Sequence, residues 1–458
     1  MPQYGFRLNS AFRGMLLASG VLCLLALASS DCQAQVLYAR PPAVGGISVN
    51  SQGVLSNATV DETGRLVQIM QESLAPVPGD LVQATEIRKI SLRLLEEAVA
   101  EATQTGKPLP DEIRYLAGLQ EIRYVFVDRE NRDIIIAGPG EGWKVNKKGA
   151  VVGIKTGRPV MLLDDLLVAM RTARAAMRDV ITCSIDPQPE GIAQLRNYLN
   201  SIQAMSNPQQ TKANIEKILG PQKVTFTVVP ETSHFARVMI AADYRMKRLG
   251  MHLDRSPVPG LPSYLQMVKS SGGRIGDMFP RWWLEPRYES VMQSPDGLAW
   301  ELHGASVKAM TEAEYINEAG QRQKANKVDP LAKRWADLFT QKFDKLAVAD
   351  PIFGQLRNCM QMSVLSALIV KEDLTAKAGY SLPTLLDPTE VQIAKYPAPK
   401  QVDTVASALK AGNHWIVSAS GGVAIDSFAV IQKPKKNPAL TALRAKATGN
   451  ETKNWWWN

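Results

Sequence analysis

Apolar side chains recur at helical spacing in several stretches of the chain. Between residues 84 and 102, Ile87, Ile90 and Leu94 lie three or four positions apart and so share one face of a helix. The same periodicity predicts core-facing helices over residues 162–174, 191–204, 208–219, 233–249, 331–346 and 353–370. Short β-rich runs at 180–185 and 223–229 separate some of these helices. This alternation indicates a sheet covered by helices, in an α/β-like unit that we place at residues 81–256.

Pairs of β-rich runs predict antiparallel hairpins near residues 122–137, 282–307 and 415–431. The second pair flanks Ser294-Pro295-Asp296-Gly297, in which proline presets one dihedral angle and glycine supplies an unusual one. We place the turn of the third pair at Gly421-Gly422. Because the composition changes at residues 257–260, these hairpins belong to a second unit, residues 257–432. The sequence therefore predicts an α+β fold with mixed sheets and packed helices.

The N-terminus has the pattern of a secretory signal. Arg7 and Arg13 precede an apolar run at residues 15–28, and small or polar residues follow as far as Ala34. The run is shorter than the roughly 20 residues that a transmembrane helix needs. We therefore expect residues 1–34 to be a signal peptide cleaved near Ala34, and the mature chain to be periplasmic or extracellular, without a transmembrane segment. A retained anchor and lipid attachment are the alternatives.

The residues after this signal, 35–80, contain prolines and glycines that interrupt any regular pattern, so this segment is predicted to be flexible. Of the four cysteines, only Cys183 and Cys359 lie beyond the signal. They either form one disulfide or are two buried thiols, and their spacing does not decide between the two. The chain has no C-x-x-C motif, which leaves thioredoxin-type chemistry and cysteine-rich zinc sites without support.

The net charge of +9 favours contact with anionic material in general. Basic residues are spread along most of the chain, so we predict no specific nucleic-acid partner. Their densest excess is in the tail, residues 433–458, which ends in Trp455, Trp456 and Trp457. We interpret this tail as solvated and partly disordered, with an electrostatic contact arm as the alternative. The terminal tryptophans could dock onto the protein, a partner or an interface.

Motifs for metal or nucleophilic chemistry are absent from the sequence. No two of His234, His252, His303 and His414 have the spacing of a helical zinc motif, so no metal site is predicted. The closest imitation of a G-x-S-x-G nucleophile turn is at residues 418–422, but it lacks the first glycine.

The glycine-rich run at residues 138–143 follows a strand, as a dinucleotide-binding loop does. Its third glycine is one position early, and no helix follows to hold a phosphate. A tight turn is the better interpretation, and we predict no cofactor.

Paired carboxylates are the remaining route to catalysis, since a glycan hydrolase needs one protonated and one ionised acid. Glu285 and Glu289 share a face of one predicted strand, but strand geometry separates them by about 13 Å. Asp164 and Asp165 form another acidic pair, which a helix N-terminus explains electrostatically.

One segment combines aromatic and basic side chains and is the best candidate for a binding surface. It contains Arg281, Trp282, Trp283, Arg287 and Tyr288. Aromatic faces with flanking guanidinium groups can stack on sugars or hold an acidic polymer. The alternative is that the aromatic side chains of this strand fill the core.

Several of these runs also resemble a family of uncharacterised exported planctomycete proteins. The resemblance covers about residues 80–320 and rests on residues 114–120, 124–127, 133–143, 281–288 and 300–302. It implies an envelope-associated bacterial setting and supplies no catalytic residues.

The sequence thus predicts an exported, envelope-associated protein that binds or supports structure without catalysis. The partner would be an acidic or glycan envelope polymer, or an envelope protein. A hydrolase acting on an envelope or environmental polymer is the alternative. A buried acid pair in a cleft would favour the enzyme, and a shallow basic surface with exposed tryptophans would favour binding.

Overall fold

The computed structural model describes residues 43–44, 46–50, 52–58, 64–202, 207–272, 280–304, 306–312, 314–316, 322–324, 329–407, 409–411, 414–416, 419–448 and 456–457. All of them belong to one compact unit, Ala43–Asn458. The predicted signal peptide, residues 1–34, lies outside the described residues, and its cleavage stays a prediction.

Strands from most of the chain length form two large sheets. The strands are β1 (Ala43–Val44), β2 (Ile47–Val49), β3 (Val54–Asn57), β4 (Thr85–Ser91), β5 (Tyr124–Asp128), β6 (Asp133–Gly140), β7 (Trp143–Val145), β8 (Val151–Gly153), β9 (Ile181–Asp186), β10 (Gln222–Phe226), β11 (Arg281–Arg287), β12 (Ser290–Gln293), β13 (Ala299–His303), β14 (Ser306–Glu312), β15 (Glu314–Ile316), β16 (Arg322–Lys324), β17 (Gln401–Val402), β18 (Leu409–Ala411), β19 (His414–Ile416), β20 (Ser420–Ile425) and β21 (Lys435–Lys436). One sheet has the order β1-β2-β3-β17-β10-β9-β20-β11-β14, and the other has the order β21-β12-β13-β5-β6-β4.

Helices connect and cover these strands. They are α1 (Arg65–Ser73), α2 (Gly79–Val82), α3 (Leu92–Gln104), α4 (Asp111–Arg114), α5 (Leu163–Ala176), α6 (Pro189–Ser201), α7 (Pro208–Leu219), α8 (His234–Gly250), α9 (Tyr264–Ser270), α10 (Pro330–Ala349), α11 (Pro351–Lys371), α12 (Leu374–Ala378), α13 (Pro383–Leu386), α14 (Ser427–Val430) and α15 (Ala439–Thr448). The predicted α+β class is confirmed, and the predicted helices match α5, α6, α7, α8, α10 and α11 within a few residues. No helix of the described ranges is long and apolar enough to cross a membrane.

The nine-stranded sheet has one packed face and one open face. On β9, the side chains of Ile181, Cys183 and Ile185 are buried, and the intervening side chains are half-buried. This period of two places alternate residues on opposite faces, as it does in any strand. Helices α8 and α10 contact the strands at the centre and edge of this sheet. We call the side that carries Cys183 the packed face and the other side the open face.

Two glycines allow the central strand β20 to sit in this sheet. Gly421 has a φ of 129°, and a Cβ there would lie 1.6 Å from the Trp282 carbonyl oxygen. A Cβ on Gly422 would lie 1.8 Å from the Cys183 carbonyl oxygen. The sequence pattern placed a hairpin turn here, which is wrong: both glycines lie inside a strand, where the close backbone approach requires them. Strand β19 pairs with β18 instead.

The segment predicted as a hairpin at 282–307 links the two sheets. Its outer strands, β11 and β14, pair with each other in the nine-stranded sheet, whereas β12 and β13 pair in the six-stranded sheet. The tight turn at residues 294–297 is present: the Gly297 backbone N–H donates to the Ser294 carbonyl at 3.1 Å. Both large sheets therefore contain strands from each side of residue 257.

Near the N-terminus, two segments differ from their predictions. Part of the segment predicted to be flexible forms β2 and β3, where Ile47 and Leu55 are each only 1% exposed. Their burial against the core outweighs the flanking glycines. The predicted helix at 84–102 begins with a strand, since residues 85–91 form β4 along the edge of the six-stranded sheet.

The C-terminal tail differs from the predicted solvated segment. Strand β21 pairs with β12, and Leu440 of α15 is buried on the six-stranded sheet beside Phe126. Farther along, Trp456 and Trp457 are buried at the edge of β4, and the Trp457 indole N–H donates to Asp80 at 3.1 Å. The prediction of a solvated tail relied on its basic residues and did not take these apolar contacts into account.

Candidate functional site

The predicted site residues on β11 divide between the two faces of the sheet. Trp282 is fully buried on the packed face, where its ring centroid lies 4.4 Å from that of Trp335 and 5.1 Å from that of Tyr264. Trp283 and Arg281 lie on the open face. Strand alternation separates the two neighbouring tryptophans because successive side chains point in opposite directions.

On the open face, the aromatic and basic side chains lie close together. Trp283 is half-buried, and the Arg281 guanidinium carbon is 5.8 Å from its ring centroid. Arg287 lies two pleats farther along the same face and is exposed. This arrangement gives the open face a positive, aromatic stripe along β11.

Tyr288 lies at the corner where the chain leaves β11 for the other sheet. The residue is half-buried overall, but its phenol oxygen is enclosed, and burial raises the pKa of that phenol well above its usual range. The Glu121 carboxylate raises the pKa further, and Arg357 opposes it. The structure thus brings Arg281, Trp283 and Arg287 onto one face and turns Trp282 and the phenol of Tyr288 inward.

A groove of about 460 Å³ begins at the end of this stripe. We call it the cationic groove. Its charged lining residues are Arg287, Glu289, Lys308, Lys433 and Lys435, and its other walls are parts of residues 286–291 and 429–432. Parallel pairing of β12 with β21, which sets Met292 against Lys435, brings the two distant stretches of sequence together.

Several cations of the groove have no ion-pair partner among the described residues. Within the described part of the chain, Arg287, Lys433 and Lys435 form no ion pair. Lys308 is 3.0 Å from Glu285, and Glu289 is 3.0 Å from the His303 ring. The groove therefore presents more positive than negative charge to a ligand, and the open geometry leaves these charges in contact with water.

The acid pair considered for hydrolysis does not converge. Glu285 pairs with Lys308 across the strands, and Glu289 pairs with His303 beyond the corner. Each carboxylate thus has its own basic partner. This arrangement does not direct the two carboxylates at one scissile bond, as glycoside hydrolysis requires.

A buried acid–base cluster lies instead beneath the N-termini of α5 and α8. Asp165 accepts a hydrogen bond from His234 Nδ1 at 2.9 Å, and Asp164 accepts one from the Ala394 backbone at 3.0 Å. Burial tends to lower the pKa of His234, but the Asp165 carboxylate outweighs burial and the pKa is raised. Burial raises the pKa of Asp164. The cluster joins α5, α8 and the proline-rich segment before β17.

A second buried pair ties α8 to the packed face of the nine-stranded sheet. Lys247 donates to Asp243 at 2.8 Å and to the carbonyls of Ile185 and Gly421 at 3.1 and 3.2 Å. Burial raises the pKa of Asp243 to about 6, although the Lys247 ammonium opposes the shift. All three ammonium protons have acceptors, so this lysine fastens the helix to two strands.

The cysteines, the glycine-rich run and the possible metal ligands were the other candidates for a functional site. Cys183 and Cys359 are free and buried, as in the second of the two alternatives, and burial raises the pKa of both thiols. In the glycine-rich run, residues 138–140 end strand β6 rather than form the predicted tight turn, and the Glu141 carboxylate accepts from the Thr156 and Lys155 backbone N–H groups. Among the described ranges, no three histidine, cysteine or acidic side chains cluster as metal ligands would.

Three lysines of the groove were not among the candidate site residues predicted from the sequence: Lys308, Lys433 and Lys435. The sequence signal that could have identified two of them was the local basic excess of the tail, but nothing in the spacing indicated that this excess meets the end of β11. The aromatic signal of residues 281–288 lies on and just after β11, whose end borders the groove.

Comparison with known proteins identifies one similar segment. Residues 183–264 match the model of a family described as a protein of unknown function, DUF1598. This segment runs from β9 through α8 and contains both His234 and the Asp243–Lys247 pair. No curated protein and no solved structure matches the chain.

Proposed function

We propose that this chain is an exported, envelope-associated protein that binds an anionic polymer without catalysis. The polymer would lie in the cationic groove, with Arg287, Lys308, Lys433 and Lys435 as its contacts. The observation that carries the proposal is the set of unneutralised cations at the mouth of an open groove.

The electrostatics of the groove support binding over a purely structural role. Lys433 and Lys435 lie near Arg287, so their mutual repulsion opposes folding unless an anion is bound. Some cations outside the groove are paired, as Arg444 is with Asp296 at 2.7 Å, but the groove gathers several basic residues around one cavity. Cations left unpaired in one groove raise the local concentration of an anionic ligand.

The hydrolase is the alternative, and the groove offers it less support. Glu285 and Glu289 each have a basic partner, and the buried Asp165–His234 cluster is enclosed by α5 and α8.

Export rests on the N-terminal sequence. N-terminal sequencing of the protein recovered from the producing cell's envelope or medium tests it, and a chain that still starts at Met1 would contradict cleavage near Ala34.

The binding test uses two double variants of equal charge change. Lys433→Met with Lys435→Met removes two groove cations, and Lys107→Met with Lys269→Met removes two exposed lysines elsewhere. The probes are polygalacturonate and inorganic polyphosphate at low ionic strength. A basic residue beside an anionic surface contributes about 1 kcal/mol, so the groove variant should bind about thirtyfold more weakly than wild type.

The control variant should bind either polyanion almost as the wild type does. Equal losses in both double variants would mean that net charge alone drives retention, and the groove proposal would fail. Release of shortened chains or new reducing ends during incubation would establish the hydrolase instead. Retention of neither polyanion would leave an envelope protein as the partner.

A further inference from the structure

We infer that the bound polymer is an acidic polysaccharide whose sugar rings contact the open face next to the cationic groove. This inference rests on the proposed function and specifies its ligand. The contact surface, here called the Trp283 platform, consists of the side chains of Trp283, Met310, Ser184 and Thr225, with the buried Gly422 between Trp283 and Ser184.

Strand register aligns these residues in one row. Trp283 is opposite Met310 of β14 on one side and Gly422 of β20 on the other. Gly422 is opposite Ser184 of β9, which is opposite Thr225 of β10. Neighbouring strands lie about 4.8 Å apart, so the row extends about 19 Å across five strands.

The platform is continuous with the cationic groove. Trp283 and Arg287 lie on the same face of β11, four residues and therefore about 13 Å apart. The ion pair of Glu285 with Lys308 lies between them, and Lys308 also lines the groove. A polymer chain seated in the groove thus meets the platform within the length of a few sugar rings.

A gap in the row gives the platform its shape. Gly422 has no side chain, and it lies between the indole of Trp283 and the hydroxyl of Ser184. No larger residue can fill the gap, since a Cβ on Gly422 would lie 1.8 Å from the Cys183 carbonyl oxygen. Gly422 itself is buried, so the platform offers a ligand the Trp283 indole as an aromatic wall and, two strands away, the Ser184 hydroxyl as a hydroxyl wall.

The two walls match the two surfaces of a sugar ring. The C–H face of a pyranose can stack on an aromatic ring, and its hydroxyls need partners that both donate and accept. The Ser184 and Thr225 hydroxyls lie 2.8 Å apart in an exposed position, and each keeps capacity for another hydrogen bond.

The acidic groups of such a polymer would then occupy the groove. Polyphosphate and acidic peptides also carry the negative charge that the groove needs. Neither has a ring with an apolar face and a hydroxyl rim at every repeat. The combination of the Trp283 platform with the cationic groove therefore favours an acidic polysaccharide.

The test compares one glycan with one charged chain that lacks rings. Affinities of wild type, Trp283→Ala and Trp283→Phe are measured for polygalacturonate and for inorganic polyphosphate at equal concentration of charge. We expect Trp283→Ala to weaken polygalacturonate binding about tenfold and to leave polyphosphate binding within twofold. Trp283→Phe should restore most of the glycan affinity because it keeps an aromatic face.

A second variant tests the hydroxyl wall without altering the aromatic one. Ser184→Val with Thr225→Val keeps the strand and removes both hydroxyls, and we expect about fivefold weaker polygalacturonate binding. Thermal unfolding of each variant shows whether it is folded. If Trp283→Ala does not fold, the double valine variant still tests the platform.

Two results would overturn the inference. Equal losses for both polymers in Trp283→Ala, or unchanged glycan affinity in both Trp283→Ala and the valine pair, would mean that the platform does not contact sugar. The groove proposal would survive either result, provided that the Lys433 and Lys435 variant still loses affinity. Failure of wild type to bind either polymer would instead contradict the proposed function itself.

Discussion

The two faces of the nine-stranded sheet use the same residue types in opposite ways. On the packed face, Trp282 lies among aromatic rings, and Lys247 gives all three of its protons to acceptors within the protein. On the open face and its groove, Trp283 is half-buried and Lys435 has no ion-pair partner within the described ranges. Residue type alone therefore does not identify a binding residue.

Side chains whose polar or charged groups have partners within the protein stabilise the fold, whereas those without such partners remain available to bind a ligand. A buried cation without partners would cost several kcal/mol, and Lys247 on the packed face is accordingly paired with Asp243. An exposed cation can remain unpaired at little cost, and it stays available to a ligand. The following predictions test this separation by making the same change on each face.

The largest effect is expected from the tryptophan pair on β11. Trp282→Ala should lower the free energy of unfolding by about 4 kcal/mol, because it leaves a cavity against Trp335 and Tyr264. Trp283→Ala should lower it by about 1 kcal/mol or less. Chemical denaturation of both variants measures the contrast. Similar losses would show that Trp283 also belongs to the core, and the platform would then lose its aromatic wall as a ligand contact.

The buried lysine should come next. Lys247→Met removes the partner of Asp243, and we expect a loss of about 3 kcal/mol at neutral pH. The cost should shrink as the pH falls toward about 6, because without the Lys247 ammonium the pKa of Asp243 rises above that value and the carboxyl binds a proton. The double variant Asp243→Leu with Lys247→Met should recover most of the loss, since two apolar side chains then replace the pair. A larger loss in the double variant would contradict this account.

Much of the helical layer could be predicted from periodicity, and the strands at its borders could not. Helices α5 and α8 follow one continuous apolar stripe each. Residues 85–91 mimic a helix because Ile87 and Ile90 lie three apart, yet backbone pairing with β6 makes them a strand. The glycines of β20 suggested a turn rather than a strand. They are needed because the backbones of Trp282 and Cys183 lie close to them, which the sequence pattern does not show.

Only part of the candidate site could be predicted for the same reason. The run from Arg281 to Tyr288 was identified by its composition, which is a local property. Which of its tryptophans faces the core depends on the helices that cover the sheet. The contribution of Lys433 and Lys435 depends on a parallel strand pair between residues 292 and 435, which no local pattern encodes.

An intermediate effect is expected at the base of the helices that cover the packed face. His234→Asn removes a charged hydrogen bond to Asp165 and should cost about 2 kcal/mol at pH 6. The folded-state pKa of His234 is raised, so its contribution is complete below the unfolded pKa of about 6.5 and declines as the pH rises through the folded value. Unfolding of both proteins between pH 5 and 9 checks the sign.

Arg237 is present in both proteins, but the His234 imidazolium lowers the pKa of Asp164, so the difference between wild type and variant reports the histidine together with that carboxyl. A stability gap that grows toward high pH would mean that His234 is buried in its neutral form. That result would contradict a charged pair beneath α5 and α8.

The smallest change in stability is expected in the groove, where the change in binding should be the clearest. Lys435→Met makes the same substitution as Lys247→Met but alters no ion pair, so unfolding should shift by less than about 0.5 kcal/mol. Affinity for polygalacturonate should still fall about fivefold at low ionic strength, and this difference should vanish near 1 M salt, where the screening length is about 3 Å. A loss that persists at high salt would show that the lysine packs against the ligand, since screening removes only the contribution of its charge.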